Sequence, residues 1–225
     1  MLSAFALAIG QLGDPRVLRI LAKSLAVALL AFAALGAGGW WAFDWLLARW
    51  ELAPELRGAL ALAATIAGGW LLWRIVALAV LQLFADEVVL AVEARHYPHA
   101  AATARKLGWH EELANGLRGA GRALLFNLLA LPVALVLLVT GVGAPLVFWG
   151  VNAVLLGREL QDMVWLRHRP GPAAPPPLRG HERFILGGIV AALFAVPLIN
   201  FLAPFLGAAM AAHLIHRKGP LAHVA

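Results

Sequence analysis

The sequence predicts an all-α membrane protein with two long transmembrane helices plus two half-penetrating (re-entrant) helical hairpins. Of its 225 residues, 62% are apolar and 13% are charged, whereas soluble chains have roughly 45–50% apolar and about 25% charged residues. The apolar residues form two runs long enough to span a bilayer and four shorter ones. Nine tryptophans are present, and tryptophan is enriched at membrane–water interfaces. These observations favour lipid as the medium of most side chains.

The first half of the chain predicts the two long helices. Residues 1–15 form a short interfacial segment, in which Asp14 is suited to cap the next helix and Pro15 to occupy its first position. Long helices are then expected at 16–50 and 56–95. Each contains a mostly apolar run of at least the roughly 20 residues that cross about 30 Å of hydrocarbon.

The second half predicts the two hairpins, at 113–166 and 183–216, joined by a proline-rich linker at 167–182. Most of their apolar pieces are too short to span, and segments of about 10–14 residues suit re-entrant helices better. The breaks between the pieces carry glycine and proline but no charge, so they need not emerge into water. Their backbone polar groups would be buried in protein or line a wet cavity. Residues 1–225 are therefore treated as a single membrane domain.

Charge predicts the orientation of these elements. The loop between the long helices balances two arginines against two glutamates, and nearly all other lysines and arginines lie at the N-terminus, at 95–122, at 158–183 and at 217–218. The positive-inside rule assigns those segments and both termini to the cytoplasm. The net charge of +6 is then loop charge that faces an anionic leaflet, and no nucleic-acid partner is predicted.

Enzyme chemistry finds little support in the composition. Cysteine is absent, and neither serine, Ser3 or Ser24, lies in the context of a catalytic nucleophile. Two histidine pairs have a spacing of three, His96 with His99 and His213 with His216, but neither has a third ligand at metal spacing. The sequence therefore predicts no catalytic residues, no cofactor and no metal site.

Arg16 and Arg19 are the candidate anion-binding residues. A helix N-terminus offers N–H donors and a partial positive charge, and arginine offers a planar fork that matches oxyanions. The alternative is that both side chains only anchor the helix to lipid headgroups. Asn200 is a third candidate, because it lies at a hairpin tip with free backbone groups.

Four further charged residues are assigned to a pathway or to structural ion pairs. Arg74 interrupts the second span, where a lone arginine costs at least about 2.5 kcal/mol. Its candidate partners are Asp86, Glu87 and Glu159. Arg158 and Asp162 are four residues apart and can pair on one helix face.

The chain resembles the CysZ-type sulfate permeases and the wider etoposide-induced-protein membrane family. The residues that carry the resemblance are Phe84-Ala85-Asp86-Glu87-Val88, Val92-Glu93-Ala94-Arg95, Gly157-Arg158-Glu159-Leu160-Gln161-Asp162, Arg183-Phe184, Gly187, Pro197-Leu198-Ile199-Asn200 and Pro204. The family's Gly-Leu/Ile-Arg-Arg stretch, linked there to sulfate binding, corresponds to Pro15-Arg16-Val17-Leu18-Arg19, where only Arg19 matches directly. Leu160 stands where the family has tyrosine.

The resemblance implies a multi-pass protein of the bacterial inner membrane that assembles as a homo-oligomer. Its expected function is that of a permease or channel for a small oxyanion such as sulfate, and its expected partners are the lipid bilayer and that anion. The alternative is a non-transporting membrane scaffold or lipid-interacting protein in envelope homeostasis. The altered arginine motif favours this alternative.

Overall fold

The computed structural model describes residues 2–50, 53–171, 173–196 and 199–218, without the side chains of residues 2, 50 and 70–83. Within these ranges the chain is helical and has no strand, which confirms the all-α class. The helices are α1 (Leu2–Gln11), α2 (Pro15–Leu47), α3 (Pro54–His96), α4 (Pro98–Thr103), α5 (Trp109–Leu137), α6 (Gly143–His168), α7 (Gly180–Ala195) and α8 (Ala203–His216). Short 3-10 turns lie at Ala48–Trp50, Leu138–Thr140 and Ile199–Phe201.

The chain divides into two compact units. One comprises residues 18–84, which form most of α2 and α3. Within it, Arg57 at the start of α3 pairs with Asp44 near the end of α2 at 2.8 Å. The ammonium of Lys23 lies 4.9 Å from the ring centroid of Phe84. The second unit comprises residues 1–17 and 85–225.

Close packing of α6 against α7 organises the second unit. A Cβ added at Gly157 would overlap the carbonyl oxygen of Arg183, and one added at Gly187 would overlap that of Ala153. Both glycines are needed because the two backbones touch at these points. The indole of Trp149 donates a hydrogen bond of 3.0 Å to the carbonyl oxygen of Gly188.

Helix α8 is the buried core of the same unit. All of its residues are buried, and it packs against α1, α6 and α7. Two small residues of α1, Ala4 and Ala8, are buried as well. The N-terminal segment is thus a helix with protein on one side and exposed apolar residues, such as Leu7 and Ile9, on another.

Among the residues that the structure describes, two helical stretches are long and apolar enough to cross a membrane: Pro15–Leu47 and Trp109–Thr140. In their most apolar windows only 6% and 11% of the residues are buried. A core helix of a soluble protein would be mostly buried, so these exposed apolar surfaces indicate contact with lipid.

The second of these stretches, Trp109–Thr140, overlaps the first predicted hairpin. Trp109–Thr140 includes the first arm of the predicted hairpin 113–166 and is longer than the apolar piece expected there. Re-entry of both hairpins therefore stays a prediction. The turn between α5 and α6 is made at Gly141, whose φ of 75° is rarely adopted by residues with a side chain. At the second tip, Pro197 and Leu198 lie outside the described residues.

Candidate functional site

A buried carboxylate, Glu93, is the centre of the most extensive polar cluster in the described residues of the second unit. One oxygen, Oε2, accepts a hydrogen bond of 3.0 Å from the guanidinium of Arg167. The other, Oε1, lies 2.8 Å from Nε2 of His168 and 2.9 Å from Nε2 of His216. The side chains of Glu93, His168 and His216 are 0%, 3% and 2% exposed. Two imidazoles and one guanidinium thus converge on a single buried carboxylate.

Three helix ends bring these groups together. Glu93 lies in the last turn of α3, and His168 and His216 are the final residues of α6 and α8. Each helix C-terminus carries roughly half a negative charge, which favours cationic groups nearby. Burial by itself would raise the pKa of the Glu93 carboxyl, but hydrogen bonds from His168 and His216 and the charges of His168 and Arg167 outweigh it and lower the pKa to about 2. Glu93 is therefore ionised at neutral pH.

A second polar layer extends the cluster toward α1. Nδ1 of His213 lies 2.9 Å from the hydroxyl of Tyr97, and its Nε2 lies 2.8 Å from the side-chain amide of Gln11. The ring of Tyr97 packs against that of His216 with a centroid distance of 4.8 Å. His213 and Gln11 are buried. These contacts link α1, the end of α3 and α8.

The sequence did not reveal this cluster as a site. Glu93 is separated from His168 by 75 residues and from His216 by 123. Local spacing paired His216 with His213, yet the ring nitrogens of the two bond to different residues, His216 to Glu93 and His213 to Gln11 and Tyr97. The signal that was available is Glu93 itself, an acidic residue inside Val92-Glu93-Ala94-Arg95, which the sequence had marked only for its family resemblance.

The two candidate anion-binding arginines lie at the start of α2. Arg16 and Arg19 are both exposed and one turn apart. Asp14 caps the helix, because its Oδ1 accepts a hydrogen bond of 2.8 Å from the backbone N–H of Arg16. Its other carboxylate oxygen pairs with Arg95. The helix end is thus already partly neutralised by a carboxylate.

Asn200 lies in the 3-10 turn at the tip between α7 and α8. Its backbone N–H bonds to the carbonyl oxygen of Val196 at 3.0 Å. Among the described residues, its side-chain oxygen has no hydrogen-bond partner. This oxygen is an acceptor, so it has capacity for a hydrogen-bond donor, and an oxyanion would have to bind to the NH₂ group of the same amide.

The predicted ion pairs on α6 are partly assembled. Asp162 lies 3.9 Å from Arg158, as the i,i+4 spacing indicated, and also 3.9 Å from Arg122 of α5. Glu159 is exposed on the same helix. Arg74 lies within α3, but its side chain is among those of residues 70–83, which the structure does not describe. Its pairing therefore stays a prediction.

Comparison with known proteins identifies the family. Residues 4–204 match the protein-family model described as sulfate transporter CysZ/etoposide-induced protein 2.4. No significant match was found among curated proteins or among solved structures. The match covers all eight helices at least in part and includes the start of α2, Glu93, His168 and Asn200. The chain therefore belongs to the sulfate transporter CysZ/etoposide-induced protein 2.4 family.

Proposed function

We propose that this protein is a membrane permease or channel for a small inorganic oxyanion such as sulfate and that it works as a homo-oligomer. The observation that carries the proposal is the family match over residues 4–204. Two exposed apolar helical stretches supply the membrane context.

Arg16 and Arg19 are the proposed anion-recruiting groups. They are exposed, lie one turn apart on α2 and are close to the membrane boundary that the apolar run defines. A guanidinium is always charged at neutral pH and can donate two parallel hydrogen bonds to an oxyanion. The family has a second arginine at the position of Leu18. Arg16 would supply this missing positive charge from a neighbouring position on the same helix.

Asn200 is the proposed polar contact at the hairpin tip. The NH₂ group of an amide can donate a hydrogen bond to an oxyanion without the desolvation cost of a second buried charge. Asp14 limits the affinity of the helix start, because its carboxylate repels anions. Moderate affinity is an advantage for a permease, since an ion must leave as well as enter.

Uptake of labelled sulfate into proteoliposomes tests the proposal. We expect the wild-type protein to give flux above protein-free vesicles and the double variant Arg16→Ala/Arg19→Ala to lose most of it, on the order of tenfold. Arg118→Ala is the matched control, because it removes an exposed arginine whose bond is to Asn115 on its own helix. This control should transport like the wild type.

Other outcomes separate the alternatives. Equal flux in the wild type and the double variant would remove the arginines from the mechanism. No flux in any protein, together with envelope defects on deletion and normal growth on limiting sulfate, would support the non-transporting membrane scaffold instead.

A further inference from the structure

We propose that Glu93, His168 and His216 form a binding site for a divalent transition-metal ion of the zinc type, which fastens the ends of α3, α6 and α8 together. One oxygen of Glu93 and one nitrogen of each histidine all lie within 4.8 Å of one another. The proposal is independent of sulfate transport, because none of these residues belongs to the proposed anion-binding set.

The donor atoms suit such an ion. Two imidazole nitrogens and a carboxylate oxygen are the ligand set of many three-ligand zinc sites, in which a water or an anion takes the fourth position. Bonds of about 2.0–2.1 Å place tetrahedral ligand atoms roughly 3.3 Å apart. The separations of 2.8 Å and 2.9 Å between Oε1 and the two Nε2 atoms therefore need to open slightly, and the histidine nitrogens, which lie within 4.8 Å of each other, need to be at a similar separation. Imidazole ligands disfavour magnesium and calcium, which prefer all-oxygen sites.

Arg167 has the position of an outer-sphere partner. It bonds to Oε2 of Glu93 and leaves Oε1 directed at both histidines. Ligating carboxylates are commonly held in this way, and such partners fix the orientation of the ligand. The aromatic ring of Tyr97 against His216 further restricts that imidazole.

Electrostatics decides whether a buried cation is tolerated beside Arg167. The three helix C-termini together contribute roughly one and a half negative charges, because each carries about half a charge within its last turn. With the Glu93 carboxylate, this negative potential offsets the guanidinium and most of a divalent charge. An anion in the fourth position would complete the compensation.

Metal binding by the full-length protein, purified in detergent without a histidine tag and stripped with chelator, tests the site. We expect one tightly bound Zn²⁺ per chain by elemental analysis after dialysis. Zn²⁺ at about a hundredfold excess over its dissociation constant should raise the apparent unfolding midpoint by about 5 °C or more. Co²⁺ should give the intense visible absorption of a four- or five-coordinate ion.

Three variants make the assignment specific. His216→Gln and His168→Gln each keep an N–H donor for Glu93 but remove a ligand, and each should weaken Zn²⁺ binding by about tenfold or more. His213→Gln is the matched control, because His213 is buried one turn away on the same helix but bonds to Gln11 and Tyr97. It should bind Zn²⁺ within about twofold of the wild type.

The wild-type protein alone can overturn the proposal, so folding of the variants is not critical. No stoichiometric Zn²⁺ and only the weak absorption of six-coordinate aqueous Co²⁺ would show that the cluster is a hydrogen-bonded carboxylate without a metal. Equal weakening by all three variants would move any metal away from Glu93.

Discussion

At the residue scale, Asp14 combines two roles in one carboxylate. It caps α2 through the backbone N–H of Arg16, and it pairs with Arg95 near the end of α3. The hydrogen bond from the Arg16 backbone, followed by that from the Arg95 side chain, holds the pKa of Asp14 below its ordinary value of 3.8. Its side chain is only 8% exposed. This residue therefore contributes to the packing of the second unit and to the potential at the start of α2.

Replacement of Asp14 by alanine should destabilise the protein by about 1 kcal/mol from the lost cap alone. Asp14→Asn is the matched variant, because asparagine caps nearly as well but loses the charge that pairs with Arg95. The apparent unfolding midpoint in detergent should therefore fall in the order wild type, asparagine, alanine. An alanine variant as stable as the wild type would contradict the capping role.

The same carboxylate predicts a pH dependence. A carboxyl whose folded pKa is depressed contributes stability above its unfolded pKa and loses it as the pH falls through the folded value. The contribution of Asp14 should therefore be complete above about pH 4 and disappear below it. The difference in unfolding midpoint between wild type and Asp14→Asn should shrink from pH 6 to pH 3, and a constant difference would contradict this assignment.

At the scale of elements, the α6–α7 pair depends on glycine. Gly157 and Gly187 allow each backbone to touch the other helix, and Gly187 also approaches the backbone nitrogen of Gly157. Small residues at such crossings are the usual means by which membrane helices approach closely. Both glycines belong to the segments that carry the family resemblance, so close contact of these helices gives a physical reason for that pattern.

Gly187→Ala should therefore destabilise the protein by about 3 kcal/mol, because the overlap is with backbone atoms that no rotamer change can move away. Gly150→Ala on α6 is the control. A Cβ there meets no atom within 4 Å, and alanine in a helix interior is favoured over glycine by about 0.5–1 kcal/mol. Apparent unfolding midpoints in detergent should thus move in opposite directions. Equal effects would show that α6 and α7 do not cross at Gly187.

At the scale of the whole molecule, the question is whether the first hairpin crosses the membrane or turns back inside it. The apolar stretch from Trp109 to Thr140 is long enough to span, whereas the sequence predicts that its hairpin turns back inside the bilayer. The absence of cysteine makes the chain suited to single-cysteine labelling, since no native thiol reacts.

Labelling of intact cells with a membrane-impermeant maleimide distinguishes the two arrangements. Ala53→Cys, between α2 and α3, should react from outside, and Ala174→Cys in the linker should react only after permeabilisation. Val142→Cys, beside the tip of the first hairpin, should be protected in intact cells because a re-entrant tip does not reach the outer surface. Reaction of Val142→Cys as fast as that of Ala53→Cys would instead establish that α5 crosses the membrane.

The sequence by itself determined the helical class, the membrane setting, the family and the cap at Asp14. These properties depend on composition, on apolar runs and on neighbours within a few residues, which are visible along the chain. The i,i+4 pair between Arg158 and Asp162 was predictable for the same reason. The additional contribution of Arg122 was not, because it comes from another helix.

Only the tertiary structure decided where the buried polar chemistry lies. Glu93, His168 and His216 are far apart in sequence. They meet because α8 packs against α6 and because the C-terminal turn of α3 lies at the ends of these two helices. No local sequence pattern predicts that these three side chains meet, because each of them taken alone is only a charged or polar residue at the end of a helix. The physical reason is that a buried charge needs partners, and the partners come from whichever helices the apolar packing places beside it.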